Sequence, residues 1–326
     1  MNRYLLYISY LGTNFRGLQK VINKVNPQPL DNSTVQSALE FALQRLQPAN
    51  EIKVVISSRT DSGVHALHSA VHVDLERRSG KPYEEHYITS LLNQSFKRDE
   101  IAIRVLNTRR VPDTFHCRYS AQSRSYLYRV AVAKTFQVPD EHQKRSARLN
   151  FIPVEELNRC FFVANPLLDI EKAREAAKLI QGYHDFRTFM SVLKDNSRDH
   201  AFFAVRRIDE LSITPGKALV TQPNISRTQE LYNYWDFTFV ARSFVYRQVR
   251  RIVGTLLAVA EGKLTQKDVY EMLTIPSKHS WPNVATIAPP YALYLTQVTY
   301  REEDLCFPQN ESPGEDSGAS EVSSSQ

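Results

Sequence analysis

Residues 53–75 restrict the fold more than any other stretch of the chain. The apolar run Lys53-Val54-Val55-Ile56 leads into Ser57-Ser58-Arg59-Thr60-Asp61-Ser62-Gly63-Val64-His65-Ala66, and Ala70-Val71-His72-Val73-Asp74-Leu75 follows. Gly63 tolerates positive φ, and an Asp two residues earlier can bond its own following backbone, so the middle segment is a sharp turn. The alternation after it is that of a half-buried strand. A carboxylate on such a turn, beside the fixed charge of Arg59, is poised to stay ionised and act as nucleophile or base. The alternative is an Asp that caps the turn and pairs with Arg59.

The rest of the chain continues in the same grammar. Strands are predicted at Tyr4–Tyr10, Ile101–Val105, Ser125–Val130, Arg206–Ile213, Trp235–Val240 and Leu293–Tyr300. Ser33 with Gln36 reads as a capping box, and Val35, Leu39, Ala42, Leu43 and Leu46 follow at helical spacing. Further helices are predicted at Tyr87–Gln94, Ile170–Gln181 and Ser243–Glu261, with a shorter one opening at Thr265. Strands and helices interleaved in two similar halves predict an α+β fold with a mainly antiparallel sheet. The halves fall at 1–140 and 150–303, with a polar connection at 134–152. Residues 304–326 form an acidic, Ser-rich tail predicted to be disordered.

Composition narrows the function classes. The chain has 326 residues, 42% of them hydrophobic and 10% aromatic, which are globular values. No apolar run approaches the roughly 18 residues of a membrane span, so no membrane role is expected. Cys117, Cys160 and Cys306 make neither a disulfide framework nor a zinc spacing, which points to a reducing compartment. A strand beginning at the third residue leaves no room for an ordinary secretory signal. From Glu302 onward there are seven acidic residues and no Lys or Arg. Removing them from the net +6 leaves +13 on the first 301 residues. A basic body of this kind suits a polyanionic partner.

Two further constellations carry cations. In Arg124-Ser125-Tyr126-Leu127-Tyr128-Arg129, a strand places Tyr126 and Tyr128 on one face with Arg124 beside them. Such a ring could stack on a flipped base while guanidinium groups meet its phosphates, or both tyrosines could be core. In Phe244–Gly254, Val245, Val249, Ile252, Val253 and Leu256 form an apolar helical stripe. Arg247, Arg250 and Arg251 lie broadly opposite, as a solvated face or a phosphate-binding one. His65, His68 and His72 do not converge on a strand, so no metal site is expected. No Gly-x-Ser-x-Gly elbow supports a hydrolase.

Arg59-Thr60-Asp61-Ser62-Gly63-Val64-His65-Ala66 resembles the signature of the TruA-type tRNA pseudouridine synthases, Arg-Thr-Asp-x-Gly-Val-His-Ala. The likeness extends in order over roughly residues 3–300, through Arg124-Ser125-Tyr126-Leu127-Tyr128, His184–Phe189, Phe244–Gly254 and Leu293–Tyr300. Leu18 and Ala292 depart from a usual Trp and Gly. Among the branches, the chain looks most like the animal tRNA pseudouridine synthase-like 1 proteins. The resemblance implies a pseudouridine synthase fold, two α/β halves sharing a mainly antiparallel mixed sheet with flanking helices. It implies isomerisation of uridine to pseudouridine in tRNA, without metal or other cofactor. By that likeness Asp61 is catalytic, Tyr126 stacks on the base and Arg250 pairs with Asp61. Arg59, Arg124, Arg247 and Arg251 are then candidates for the RNA. The branch suggests a mitochondrial location, with cytoplasm or nucleus as the alternative, and bacterial members suggest a homodimer. The rival reading is a catalytically silent RNA-binding or mitochondrial ribosome-associated factor with the same fold.

Overall fold

The computed structural model describes residues 1–20, 33–134, 152–191, 204–222, 228–277 and 279–307. In the first half β1 (Asn2–Tyr10), α1 (Val35–Leu43), β2 (Val55–Ile56), β3 (His65–Leu75), α2 (Glu85–Arg98), β4 (Ile103–Val111) and β5 (Ser123–Ala133) follow one another. The second half runs β6 (Phe161–Val163), α3 (Ile170–Ile180), β7 (Gly182–Asp185), β8 (Val205–Ile208), β9 (Glu210–Pro215) and α4 (Thr228–Leu231). It closes with β10 (Tyr232–Ala241), α5 (Gln248–Ala260), α6 (Gln266–Thr274), β11 (Leu293–Thr299) and α7 (Glu302–Leu305). The connection at 135–151 and the tail beyond 307 lie outside the described residues. The predicted tail begins too early, because α7 is helical, Leu305 is buried, and Glu302 pairs with Arg109 of β4 at 2.5 Å.

One nine-stranded sheet organises the molecule in the order β4-β1-β3-β11-β5-β10-β9, with β2 added to β3 and β6 to β5. Its pairings are antiparallel except β11 with β3 and β6 with β5. The α+β expectation and the mainly antiparallel mixed sheet are what the structure has. Chain order puts β5 in the first half, yet both its long pairings are with the second half, β10 and β11. β11 therefore forms the seam, and it meets β3 over only two positions, Tyr294 with His65 and Leu295 with Ala66.

So short a ladder needs reinforcement, which His65 supplies from a fully buried position. Its Nδ1 accepts the Gly12 N–H at 3.0 Å, which places the ring proton on Nε2. Nε2 then donates toward the carbonyls of Asn158 and Tyr291, both at 2.9 Å, while the ring stacks on Tyr294. Elsewhere in the core, Arg129 and Glu156 form a buried pair at 2.7 Å. Arg129 also donates to the Lys217 carbonyl, and Glu156 also accepts the Leu219 N–H. Full hydrogen bonding of this kind is what makes a buried ion pair tolerable.

Three element ends differ from expectation for local reasons. Thr34 rather than Ser33 caps α1, accepting the Ser37 N–H, and Gln36 turns instead to Lys20 N and Val54 O. The segment 206–213 is two strands, β8 and β9, because β8 leaves the main sheet to pair with β7. Helix α5 starts at Gln248, not Ser243. Arg247 is in the left-handed region (φ 59°), and Val245 and Gln248 close a reciprocal cap through Val245 N to Gln248 Oε1 and Gln248 N to Val245 O. Further along α5, a Cβ on Gly254 would lie 1.9 Å from the Thr286 carbonyl oxygen. Only glycine lets helix and segment 286–288 touch backbone to backbone there.

Burial lowers the pKa of His65, His68, His72 and His116, that of His72 from 6.5 to about 4. Each is held neutral in the fold but protonates more readily in the unfolded chain. Their contribution to stability is complete above about pH 6.5 and is lost as pH falls below it, for His72 down to about 4. We expect the melting temperature to fall by several degrees between pH 7 and pH 5, measured by calorimetry. A flat or rising profile would contradict this placement of the histidines.

Candidate active site

Asp61 opens the turn that the sequence shows. Its carbonyl accepts the Val64 N–H at 3.2 Å, and Gly63 takes φ +81°. The loop after β1 clamps this turn from the other side. Tyr10 and Thr60 hydroxyls bond at 2.8 Å, Ser62 Oγ donates to the Phe15 carbonyl, and Leu18 N donates to the Thr60 carbonyl. Gly12 lies so close that a Cβ there would stand 1.9 Å from Val64 O. The carboxylate is thus carried on a turn with little freedom.

Across the seam, the first turn of α5 presents Arg250. Its Nη1 donates to Asp61 Oδ2 at 2.7 Å, and its Nε donates to the Ala288 carbonyl at 2.7 Å. Ala288 N returns a bond to the Arg250 carbonyl, so the guanidinium is fixed at both ends. The close approach at Gly254 is what brings Ala288 within reach. Arg247 Nε is the second cation on the same oxygen, at 3.8 Å. Among the described residues, Asp61 Oδ1 accepts no hydrogen bond. One carboxylate oxygen is held and the other has no partner among the described residues. The alternative pairing with Arg59 does not occur: Arg59 is exposed and pairs with no described residue.

Tyr126 lies beside this pair. Burial, opposed by Arg124 and assisted by Asp61, pushes its phenol up to about 12. Only 7% of the residue is exposed, with Phe244 edge-on at 5.2 Å.

Two of the arginines expected on the RNA are turned inward. Arg124 is buried and donates to the carbonyls of Ser57, Arg118 and Arg242 and to Ser58 Oγ. It therefore ties the strand of Tyr126 to the residues just before Asp61. Arg251 donates to the carbonyls of Thr188 and Met190 and lies over Trp281, 4.5 Å from the ring centroid. Because α5 starts late and packs on the 186–191 and 281–288 segments, the three arginines do not share one solvated face. Phe186 and Phe189 are core residues.

The histidines of β3 separate as expected: His65 lies in the seam and His68 stacks on Tyr7. His72 instead meets His116 and Cys117, with potential ligand atoms within 4.8 Å of one another. Those donors are already engaged. His72 Nδ1 accepts the Cys117 N–H, and Cys117 Sγ donates to the Val55 carbonyl. Burial pushes the Cys117 thiol up to about 12, and Arg124, Arg3 and Arg118 surround it. A protonated thiol among guanidinium groups is a poor cation site.

A family model described as tRNA pseudouridine synthase matches residues 7–120 and 176–301. The chain belongs to the tRNA pseudouridine synthase family. It is 36% identical to the tRNA pseudouridine synthase-like 1 of Xenopus laevis over 309 residues, 93% of either chain. The Homo sapiens protein of that name is 36% identical, covering 91% of this chain and 90% of its own. The tRNA pseudouridine synthase A of Allorhizobium ampelinum is 34% identical, covering 92% and 95%. The matched regions include Asp61, Tyr126 being outside them and Arg250 inside.

Several residues of this site were not singled out from the sequence. Gly12, Phe244 and Ala288 act through backbone approach or side-chain cover, which no local pattern announces. Arg124→Lys separates its structural role from an RNA contact. Lysine cannot reach all the acceptors, so we expect a stability loss of about 2 kcal/mol or more in denaturant unfolding, with slower turnover. The salt dependence of RNA binding is expected to stay unchanged, because no phosphate contact is removed.

Proposed function

We propose that this chain isomerises uridine to pseudouridine in tRNA, with Asp61 as its catalytic residue. The observation that carries the assignment is the asymmetric carboxylate, Oδ2 held by Arg250 and Oδ1 without a partner among the described residues. A fixed cation at 2.7 Å from one carboxylate oxygen sets the aim of the other. The tRNA is held by its phosphates on the basic body, with exposed Arg59 at the mouth of the site. The target uridine leaves its stack and rests on Tyr126 once Phe244 gives way.

Oδ1 then promotes cleavage of the C1′–N1 bond, by attack on C1′ or by removal of a sugar proton. The freed uracil turns and C5 bonds to C1′, on the attack route displacing Oδ1 from it; C5 loses its proton and N1 ends protonated. Any sugar proton taken is returned, so the reaction is balanced as an isomerisation. No group transfer or redox step is involved.

Asp61→Asn tests this directly, because it is nearly isosteric and removes only the charge. We expect the wild-type protein to form pseudouridine in tRNA transcripts. The variant should be at least about a thousandfold slower, with RNA affinity changed only a few-fold. Equal RNA binding with no product from either protein, across a broad tRNA pool, would favour the silent RNA-binding factor.

A further inference from the structure

Two arginines meet Asp61 Oδ2, and they differ in every property that decides whether a cation can leave. Arg250 is hydrogen-bonded at 2.7 Å, has 11% of its side chain exposed and is anchored to Ala288. Arg247 stands at 3.8 Å, outside hydrogen-bond range, with 38% of its side chain exposed. Its guanidinium carbon lies over the Tyr246 ring, 4.8 Å from the centroid, a contact that uses none of its donors. One carboxylate between two guanidinium groups leaves a net charge of one positive unit. Since Arg250 alone satisfies Oδ2, that unit resides on Arg247.

We infer that Arg247 exchanges Asp61 for a phosphate of the target nucleotide when RNA binds. This rests on the pseudouridine synthase reading, in which the reacting sugar sits at Asp61. A uridine whose C1′ meets Oδ1 brings its own flanking phosphates within one nucleotide of Arg247. A phosphate also offers a planar guanidinium the paired acceptors that Oδ2 at 3.8 Å does not. The left-handed backbone at Arg247 turns its side chain off the α5 face and toward the turn of Asp61, the position such an exchange requires. Arg250 stays behind to hold Oδ2 in place.

The test compares wild type, Arg247→Gln and Arg247→Lys for tRNA-transcript affinity from 50 to 300 mM KCl and for steady-state kinetics. Neither replacement changes the backbone demand at this left-handed position more than arginine itself does. We expect Arg247→Gln to lower kcat/KM about tenfold, mainly through KM, and to reduce the salt slope by about one. Arg247→Lys should restore the slope. An unchanged slope for Arg247→Gln overturns the proposal, as does a loss of kcat at constant KM, which would make Arg247 a positioning residue for Asp61. The slope is measured without turnover, so it separates the two readings. Wild-type protein that binds RNA, loses slope on substitution and makes no product would refute the synthase activity alone. Product formation with an unmoved slope would refute only the exchange.

Discussion

The ion pair between Asp61 and Arg250 is the interaction on which the rest of this structure depends. It joins a turn from the first half of the chain to the first turn of a helix from the second, at 2.7 Å and largely out of solvent. Pairs of this kind add little net stability, because each charge has been taken from water. Removing one partner, however, strands the other, at a cost of about 3–5 kcal/mol. The value of the pair lies in direction. It fixes one carboxylate oxygen and thereby defines where the other points.

Holding that geometry takes a supporting structure on both sides of the seam. On the Asp61 side, Gly12, Tyr10 and Phe15 grip the turn, and buried Arg124 secures the residues before it. On the Arg250 side, Gly254 lets α5 lie against 286–288, so that Ala288 can accept from Nε. His65 then ties β3 to the segment before β11, compensating for a parallel ladder of only two positions. Each device acts within a few residues of the carboxylate or the arginine. In the proposed mechanism, a displacement of about 1 Å at this point would cost on the order of a hundredfold in rate.

What the sequence made legible follows from how local each signal is. The Asp61 turn, the α3 helix with its stop before Gly182, and the capped helix at Thr265 are written in neighbouring residues, and the structure has them. Asp61 was a candidate from its turn alone, family likeness chose among the readings of Tyr126 and Arg250, and the structure brings the three together. Burial of Arg124 and Arg251 was not legible, because their partners are carbonyls 6 to 118 positions away along the chain. The apolar periodicity over 245–256 extended the predicted helix too far. Periodicity does not register a left-handed residue at 247 or a cap made by Gln248. The split at Asp209 was equally hidden, since the two strands, in different sheets, are separated by that single residue.

A double-mutant cycle on turnover tests most directly whether Arg250 acts through Asp61. It compares Asp61→Asn, Arg250→Gln and the double variant with wild type, using pseudouridine formation in one tRNA transcript. If the arginine serves only to hold and charge the carboxylate, the double variant should be no slower than Asp61→Asn alone. Fully additive losses would mean that Arg250 contributes independently of Asp61, and the central role given to their pairing would be wrong.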